Sequence, residues 1–409
     1  MAPDWLAQLR EVKQMSRSIC PKIQRVAHHL RSRKHFVKLY SPRLVSFGPI
    51  HHGEPHLQLG EQYKLMWAST YLGGPNKIPE HLHQKIVEKI NELKLLYSED
   101  AIRHLDDENL ARVLFMDGCA LLQILDKFDL MNPEVLNVKV DQLVLVNQDM
   151  LLLENQLPFQ LLKLLSPHND NELTKMMVRF FNCHHLPSGD YDVVSLLPHP
   201  PHLLDQLRRI VLCDFQPQQN GNDNIITYRN IKELKAAGIR VKRCESKCPL
   251  NITFSTSFWF GGELRIPKIV VDDTIAPTYL NLIAYEMCPD FENKYEISSY
   301  LEFLDSLIDH PDDVMELRSA EVLHNGLGSD EEVAKLFNTI SADLVPDTAI
   351  YACVRAQIEK HYANIYKTWY AQACYTYFST PWTVIAVVAA FLALVLTFVQ
   401  TWFAIFPAK

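Results

Sequence analysis

Three histidines, His51, His52 and His56, fall within six residues of the stretch VSFGPIHHGEPHL (residues 45–57), framed by Gly48, Pro49, Gly53 and Pro55. Clustered imidazoles are raw material for a metal site or an acid–base pair. Their spacing works against both. In an extended chain His51 and His52 point to opposite faces and cannot share an ion. In a helix His52 and His56 share a face, but Gly53 and Pro55 break that turn. A metal site then requires an irregular loop. The alternative is a rigid turn: strand-like Val45, Ser46 and Phe47, a bend at Gly48 and Pro49, and Gly53 in a tight or positive-φ conformation. The histidines would then donate to backbone carbonyls and fix the lead-in to the next helix, as scaffold.

A second candidate is the polar island Glu154, Asn155 and Gln156 inside the nearly apolar stretch at residues 144–165. Pro158 removes a donor there and should kink or end the helical pattern, leaving carbonyls that the three polar side chains can satisfy. The competing reading is a buried carboxylate acting as acid or base. Cys244 and Cys248 lack a second pair at zinc-finger spacing, although His199 and His202 could in principle complete a site. No cysteine has a local histidine to mark it as a nucleophile. The sequence holds no G-x-S-x-G, H-E-x-x-H, phosphate loop or G-x-G-x-x-G, and Gly326 and Gly328 precede an acidic helix start that would repel phosphate. No cofactor, metal or small-molecule substrate is therefore expected, and no catalytic residue is assigned.

Apolar residues at three- and four-residue spacing predict helices over 57–72, 78–96, 110–125, 279–287, 300–308, 314–318 and 350–378. Ser329 opens a further one through a capping box with Glu332. Gly238 stops a short helix at 231–237 before strand-like 239–241, and residues 254–271 read as a hairpin with its turn at Gly261 and Gly262. Residues 214–230 are polar, amide-rich and aperiodic, as expected of an exposed loop that carries recognition. The expected fold is mainly α with a small β-hairpin or sheet: a large helical body over 1–378, followed by one transmembrane helix at 382–406.

That last assignment decides the class. No Asp, Glu, Lys or Arg occurs between positions 368 and 408, and residues 382–406 form an apolar run. About 20 such residues cross a bilayer. Trp382 begins the run, and Trp402 and Phe403 lie near its end, where aromatic side chains anchor at the interface. The N-terminus lacks the apolar core of a signal peptide. A C-terminal anchor with a cytosolic body, at the plasma membrane, is the expected topology, and nine scattered cysteines agree with a reducing compartment.

Charge is unevenly spread. Residues 1–43 hold ten Lys or Arg against Asp4 and Glu11, a local charge of +8 that leaves -16 on the rest of a chain of net charge -8. A basic head on an acidic body favours contact with lipid headgroups or with the protein's own acidic face. It disfavours nucleic acid, which the body would repel.

The segments LYSPRLVSFGPIHHG (39–53), MDGCALLQIL (116–125), DMLLLENQLPF (149–159) and HLLD (202–205) each resemble a signature of the plant domain-of-unknown-function-247 family. So do ELKAAGIRVK (233–242), NLIAYE (281–286), NGLGSDEEVAKLFN (325–338) and PWTVIAVVAA (381–390), in order along nearly the whole chain. Two positions depart from the family pattern: Ala27 stands in place of a usual proline and Gly60 in place of a usual methionine. The resemblance implies a plant protein with a C-terminal membrane anchor and no established catalytic activity. Some grass members are implicated in pollen self-incompatibility. The expected function is membrane-anchored recognition or signalling through an unidentified protein partner, without catalysis. The alternative is an enzyme of unrecognised type built on the His51/His52 turn or Glu154.

Overall fold

The apolar repeats of the first half become helices that pack around one central member. The computed structural model describes residues 21–405 except 33–35, 75–76, 182–198, 214, 218–228, 257–260, 343 and 364–380. Helices α1 (Gln58–Leu72), α2 (Pro79–Lys94) and α3 (Asp107–Lys127) come first. α2 starts on Pro79 and buries Leu82, Ile86, Ile90 and Leu93, a single stripe at helical spacing. α3 starts where the Asp106 carboxylate accepts from the Asn109 N–H at 2.8 Å. From Asp117 to Leu125 every residue of α3 is buried, on all faces. It is accordingly the axis against which α1, α2, α5 (Phe159–Leu165) and α6 (Asp170–Phe180) pack.

Residues 144–165 do not form one helix kinked at Pro158. Helix α4 (Val140–Asp149) ends nine residues earlier, a 3₁₀ turn spans Leu153–Asn155, and Pro158 caps α5. The carboxylate of Asp149 and the polar island that follows are committed to other segments of chain, and that demand outweighs the apolar periodicity.

The second half carries α7 (Leu203–Leu212) and α8 (Ile231–Ala236), then strands β1 (Ile239–Cys244), β2 (Thr253–Thr256), β3 (Gly262–Pro267) and β4 (Ile269–Val271). Gly238 adopts φ +79°, the left-handed stop expected of it. β2 and β3 pair antiparallel, as a hairpin should, but Gly262 belongs to the strand and pairs with Thr256 and Ile239. β1 adds in parallel to β3, giving the order β1-β3-β2, while β4 leaves this sheet and pairs in parallel with β5 (Leu323–Asn325). Around these strands lie α9 (Ile275–Glu286), α10 (Glu296–Leu307), α11 (Pro311–Ser319), α12 (Asp330–Ile340) and α13 (Ala352–Tyr362). Ser329 caps α12 by accepting from the Glu332 N–H at 3.2 Å. The Glu332 carboxylate turns back to the Gly328 N–H rather than closing the box on Ser329. α14 (Pro381–Ile405) is the expected apolar helix. Its window Trp382–Trp402 is 21 residues, long and apolar enough to be a membrane anchor, and none of it is buried. The fold is thus mainly helical with a small sheet. Most of the amide-rich segment 214–230 lies outside the described residues.

Two positions show how tightly this is packed. At Gly60 on α1 a Cβ would sit 2.0 Å from the Leu44 carbonyl oxygen, so any side chain forces helix and segment apart. Asp305 on α10 buries Oδ1 without a partner. Burial, then the Glu302 and Asp309 carboxylates, raise its pKa from 3.8 to about 6.

Gly60→Ala is expected to destabilise the chain by about 2 kcal/mol or more, since the obstacle is backbone that cannot swing aside; a urea melt checks it, and an unchanged midpoint would contradict the close approach. For Asp305 the folded state binds the proton more tightly than the unfolded chain, so stability falls as pH rises from about 4 to about 6 and stays lowered above that. Asp305→Asn should raise Tm at pH 7.5 and leave it unchanged near pH 4. A rise equal at both pH values would argue against this assignment.

Candidate functional site

Residues 43–48 join no helix or sheet, so their backbone groups need partners elsewhere. Asp149 supplies three: one carboxylate oxygen accepts from Arg43 N–H at 2.9 Å, the other from Leu44 and Val45 N–H at 2.7 and 2.9 Å. Asn155 accepts from Phe47 N–H at 2.6 Å and donates to the Val45 carbonyl at 2.9 Å. Asp117, from the middle of α3, takes the Gly48 N–H at 2.8 Å. The Ser46 carbonyl accepts from the Lys64 ammonium, which also pairs with Asp117 and Glu61 at 2.7 Å each. Gly48 adopts φ +76° and its position leaves a Cβ only 3.2 Å from the Gln156 carbonyl.

Glu154 anchors the other end. It accepts from the Val26 N–H at 2.7 Å, meets His51 Nε2 at 2.8 Å, and both its oxygens accept from Arg31 Nη1, at 3.0 and 3.1 Å. His51 Nδ1 meets Glu54 at 2.7 Å, so each ring nitrogen faces a carboxylate. His51 therefore bonds carboxylates, not the backbone carbonyls expected from the sequence. His52 is exposed and out of this cluster, and the exposed His56 reaches the Pro42 carbonyl at 3.3 Å. Gly53 has the expected positive φ of +82°, and the buried Pro49 accepts from the His52 N–H to close the bend.

Gln156 donates to the Met150 and Leu152 carbonyls and accepts from the Leu204 N–H. With Asn155 donating to the Asp149 carbonyl, the polar island does satisfy carbonyls freed where α4 ends. It also binds three distant segments, around residues 26–31, 45–51 and Leu204, which the local pattern does not show. Asn281 on α9 completes the frame, accepting from Leu153 N–H and donating to the Leu39 and Pro277 carbonyls. A second node repeats the device: Glu286 accepts from Ile297 N–H, Ser298 N–H and Ser298 Oγ, and pairs with Arg208 at 3.0 Å.

The electrostatics follow from depth. Burial pushes Asp149 and Asp117 above the usual carboxylate range, and the opposing pulls come from the backbone donors at Asp149 and from Lys64 at Asp117. Burial disfavours charge on Lys64 too, but Asp117 and Glu61 outweigh it and raise its pKa. His202, fully buried and capping α7, is driven down to about 4 by burial and stays neutral.

Chemically, the arrangement is closed. His51 is 2% and Glu154 1% exposed, and both carboxylate oxygens are already engaged. No group of three His, Cys, Asp or Glu side chains among the described residues is placed to hold a metal ion. Cys244 and Cys248 do not join His199 and His202 in such a group. The residues missed from sequence are Asp117, Lys64, Asp149, Asn281 and Glu286. Their only local signal is a charged or amide side chain inside an apolar helical stripe.

Comparison with known proteins gives one consistent match. A family model described as "Plant protein of unknown function", DUF247, matches residues 23–396. The chain is 27% identical to UPF0481 protein At3g47200 of Arabidopsis thaliana, covering 90% of this chain and 83% of that protein. It is 21% identical to Putative UPF0481 protein At3g02645 of the same plant, covering 90% and 88%. No solved structure matches.

Removing Glu154 strands His51 and Arg31, so Glu154→Ala is expected to cost about 3–5 kcal/mol in a denaturant melt. His52→Ala, at an exposed position, should stay within about 0.5 kcal/mol of the parent. Equal costs for the two would contradict the assignment of the cluster to Glu154 and His51.

Proposed function

Because this chain belongs to the plant domain-of-unknown-function-247 family, we propose that it is a membrane-anchored recognition protein without catalytic activity of its own. The observation that carries the proposal is α14. Its 21-residue apolar window is entirely uncovered among the described residues, and lipid is the medium that covers such a surface at no cost. Its hydroxyls are already satisfied within the helix, Thr397 bonding the Ala393 carbonyl at 2.7 Å and Thr401 the Thr397 carbonyl at 2.8 Å. Trp382 and Trp402, 80% and 55% exposed, stand at the two ends of the window as interfacial anchors, with Phe403 next in the helix.

On this reading the body faces the cytosol at the plasma membrane. Cys119, Cys244, Cys288 and Cys353 are unbridged thiols, as a reducing compartment favours. Burial pushes the Cys119 thiol up to about 12 and Cys288 up as well, which makes both inert. Absence of catalysis is supported by the closure of the Glu154 and His51 cluster. Recognition of a protein partner is assigned to the amide-rich residues 214–230 on their composition, with self-incompatibility or a related plant recognition process as the context. Within the lead segment, Arg31 on Glu154 and Arg25 on Asp100 use the body's own acidic groups, one of the two destinations its charge allows.

Deleting residues 380–409 should move the body from the membrane pellet to the soluble fraction of plant cells. An N-terminal tag on the full chain should be cleaved by protease only after permeabilisation, and Asn251, which is exposed, should show no glycosidase shift. A body that pellets without α14, or a glycosylated Asn251, would overturn the anchor or the compartment respectively.

A further inference from the structure

An open cleft of about 590 Å³ lies beside the clamped segment, between the 3₁₀ turn Val37–Leu39, α4 and the start of α9. That is the volume range of small-ligand sites. Its lining combines three chemistries. Lys38 and Arg43 bring positive charge from one segment, Asp272 and Asp273 negative charge from another, and leucines and Pro277 an apolar floor; Asp149 also lines the cleft, beside Arg43, with its oxygens committed to backbone donors. No ion pair within 4.0 Å joins the two charged sets among the described residues. Asp272 Oδ1 is committed to Thr274, accepting from its N–H at 2.9 Å and its hydroxyl at 2.6 Å.

The remaining observation is independent of these charges. Gln148 also lines the cleft, is 9% exposed, and its Oε1 is buried with no hydrogen-bond partner. A buried acceptor left unmade costs about 1–3 kcal/mol, and such groups persist where they have a use. The amides of the adjoining clamp, Asn155, Gln156 and Asn281, each bond at both ends. Gln148 lines the cleft with its Oε1 turned out of reach of solvent.

We propose that this cleft binds a short apolar peptide with free termini. Its carboxylate pairs with Lys38 and Arg43, its ammonium with Asp272 and Asp273, and a backbone N–H donates to Gln148 Oε1 once the amide turns into the cleft. Small apolar side chains rest on Leu39, Leu145 and Leu152. A zwitterion is required because one ligand must answer both signs of charge, and an N–H donor because Gln148 offers an acceptor. A single amino acid leaves much of the volume empty, whereas two or three residues fill it. The proposal uses body residues alone and does not rest on membrane anchoring or on a protein partner, so its failure leaves those readings untouched.

The test is isothermal titration calorimetry of the detergent-solubilised full chain with the tripeptide Ala-Leu-Ala. Saturable binding at one site is expected, weakened by about tenfold or more when the peptide is N-acetylated or C-amidated, as loss of one charge partner requires. Asp273→Asn and Lys38→Ala, both exposed, should each weaken it without changing Tm. Gln148→Met, close in shape but without the unmet acceptor, should raise Tm while weakening binding, which a purely structural glutamine would not do. No saturable heat up to about 10 mM peptide, weaker than any specific affinity of use, would overturn the proposal. So would binding indifferent to both blocked termini, or free leucine binding as tightly as the tripeptide.

Discussion

Buried backbone N–H groups that no helix or strand satisfies must find acceptors elsewhere, and this protein meets the requirement with carboxylates and amides held in its core. Residues 43–48 present five such donors to Asp149, Asn155 and Asp117. A carboxylate offers several acceptor sites on two oxygens, so one aspartate serves three consecutive amides where a neutral side chain could not. The cost is desolvation of the charge, visible in the raised Asp149 and Asp117. Much else follows from it. α4 must end at Asp149, α3 must carry an aspartate through its most buried turn, and Lys64 must be drawn into the core to balance it.

The same logic makes the network poor catalytic material. A general base needs a free lone pair and access to substrate. Glu154 and His51 have partners on all their polar atoms and lie out of contact with solvent. Among the described residues, unmet capacity is found elsewhere, on the uncovered apolar face of α14 and in the cleft beside Gln148.

The helices were legible in the sequence because their signal is local. α2 shows one stripe of apolar residues, Pro79 marks its start, Ser329 marks α12 and Gly238 ends α8. The C-terminal helix was plainer still, since 41 residues without charge admit few structures. The turn at residues 48–53 was half legible. Gly48 and Gly53 gave the backbone conformation, but the partner of His51 is Glu154, about a hundred positions away. The parallel pairing of β1 with β3 and the departure of β4 to β5 were hidden for the same reason: register across a crossover leaves no mark in either strand alone. Asp117 and Asp149 are charged residues within apolar helices, and only the chain laid across them gives them a purpose.

Residues 43–48, though in no helix or strand, are held by the core as firmly as α3. Native-state hydrogen exchange of the Leu44, Val45, Phe47 and Gly48 amides tests it directly. The expected result is exchange only through opening as costly as that of the α3 amides around Leu121, near global unfolding. Exchange through local fluctuation, as fast as in an exposed loop, would show that the carboxylate clamp does not organise the fold.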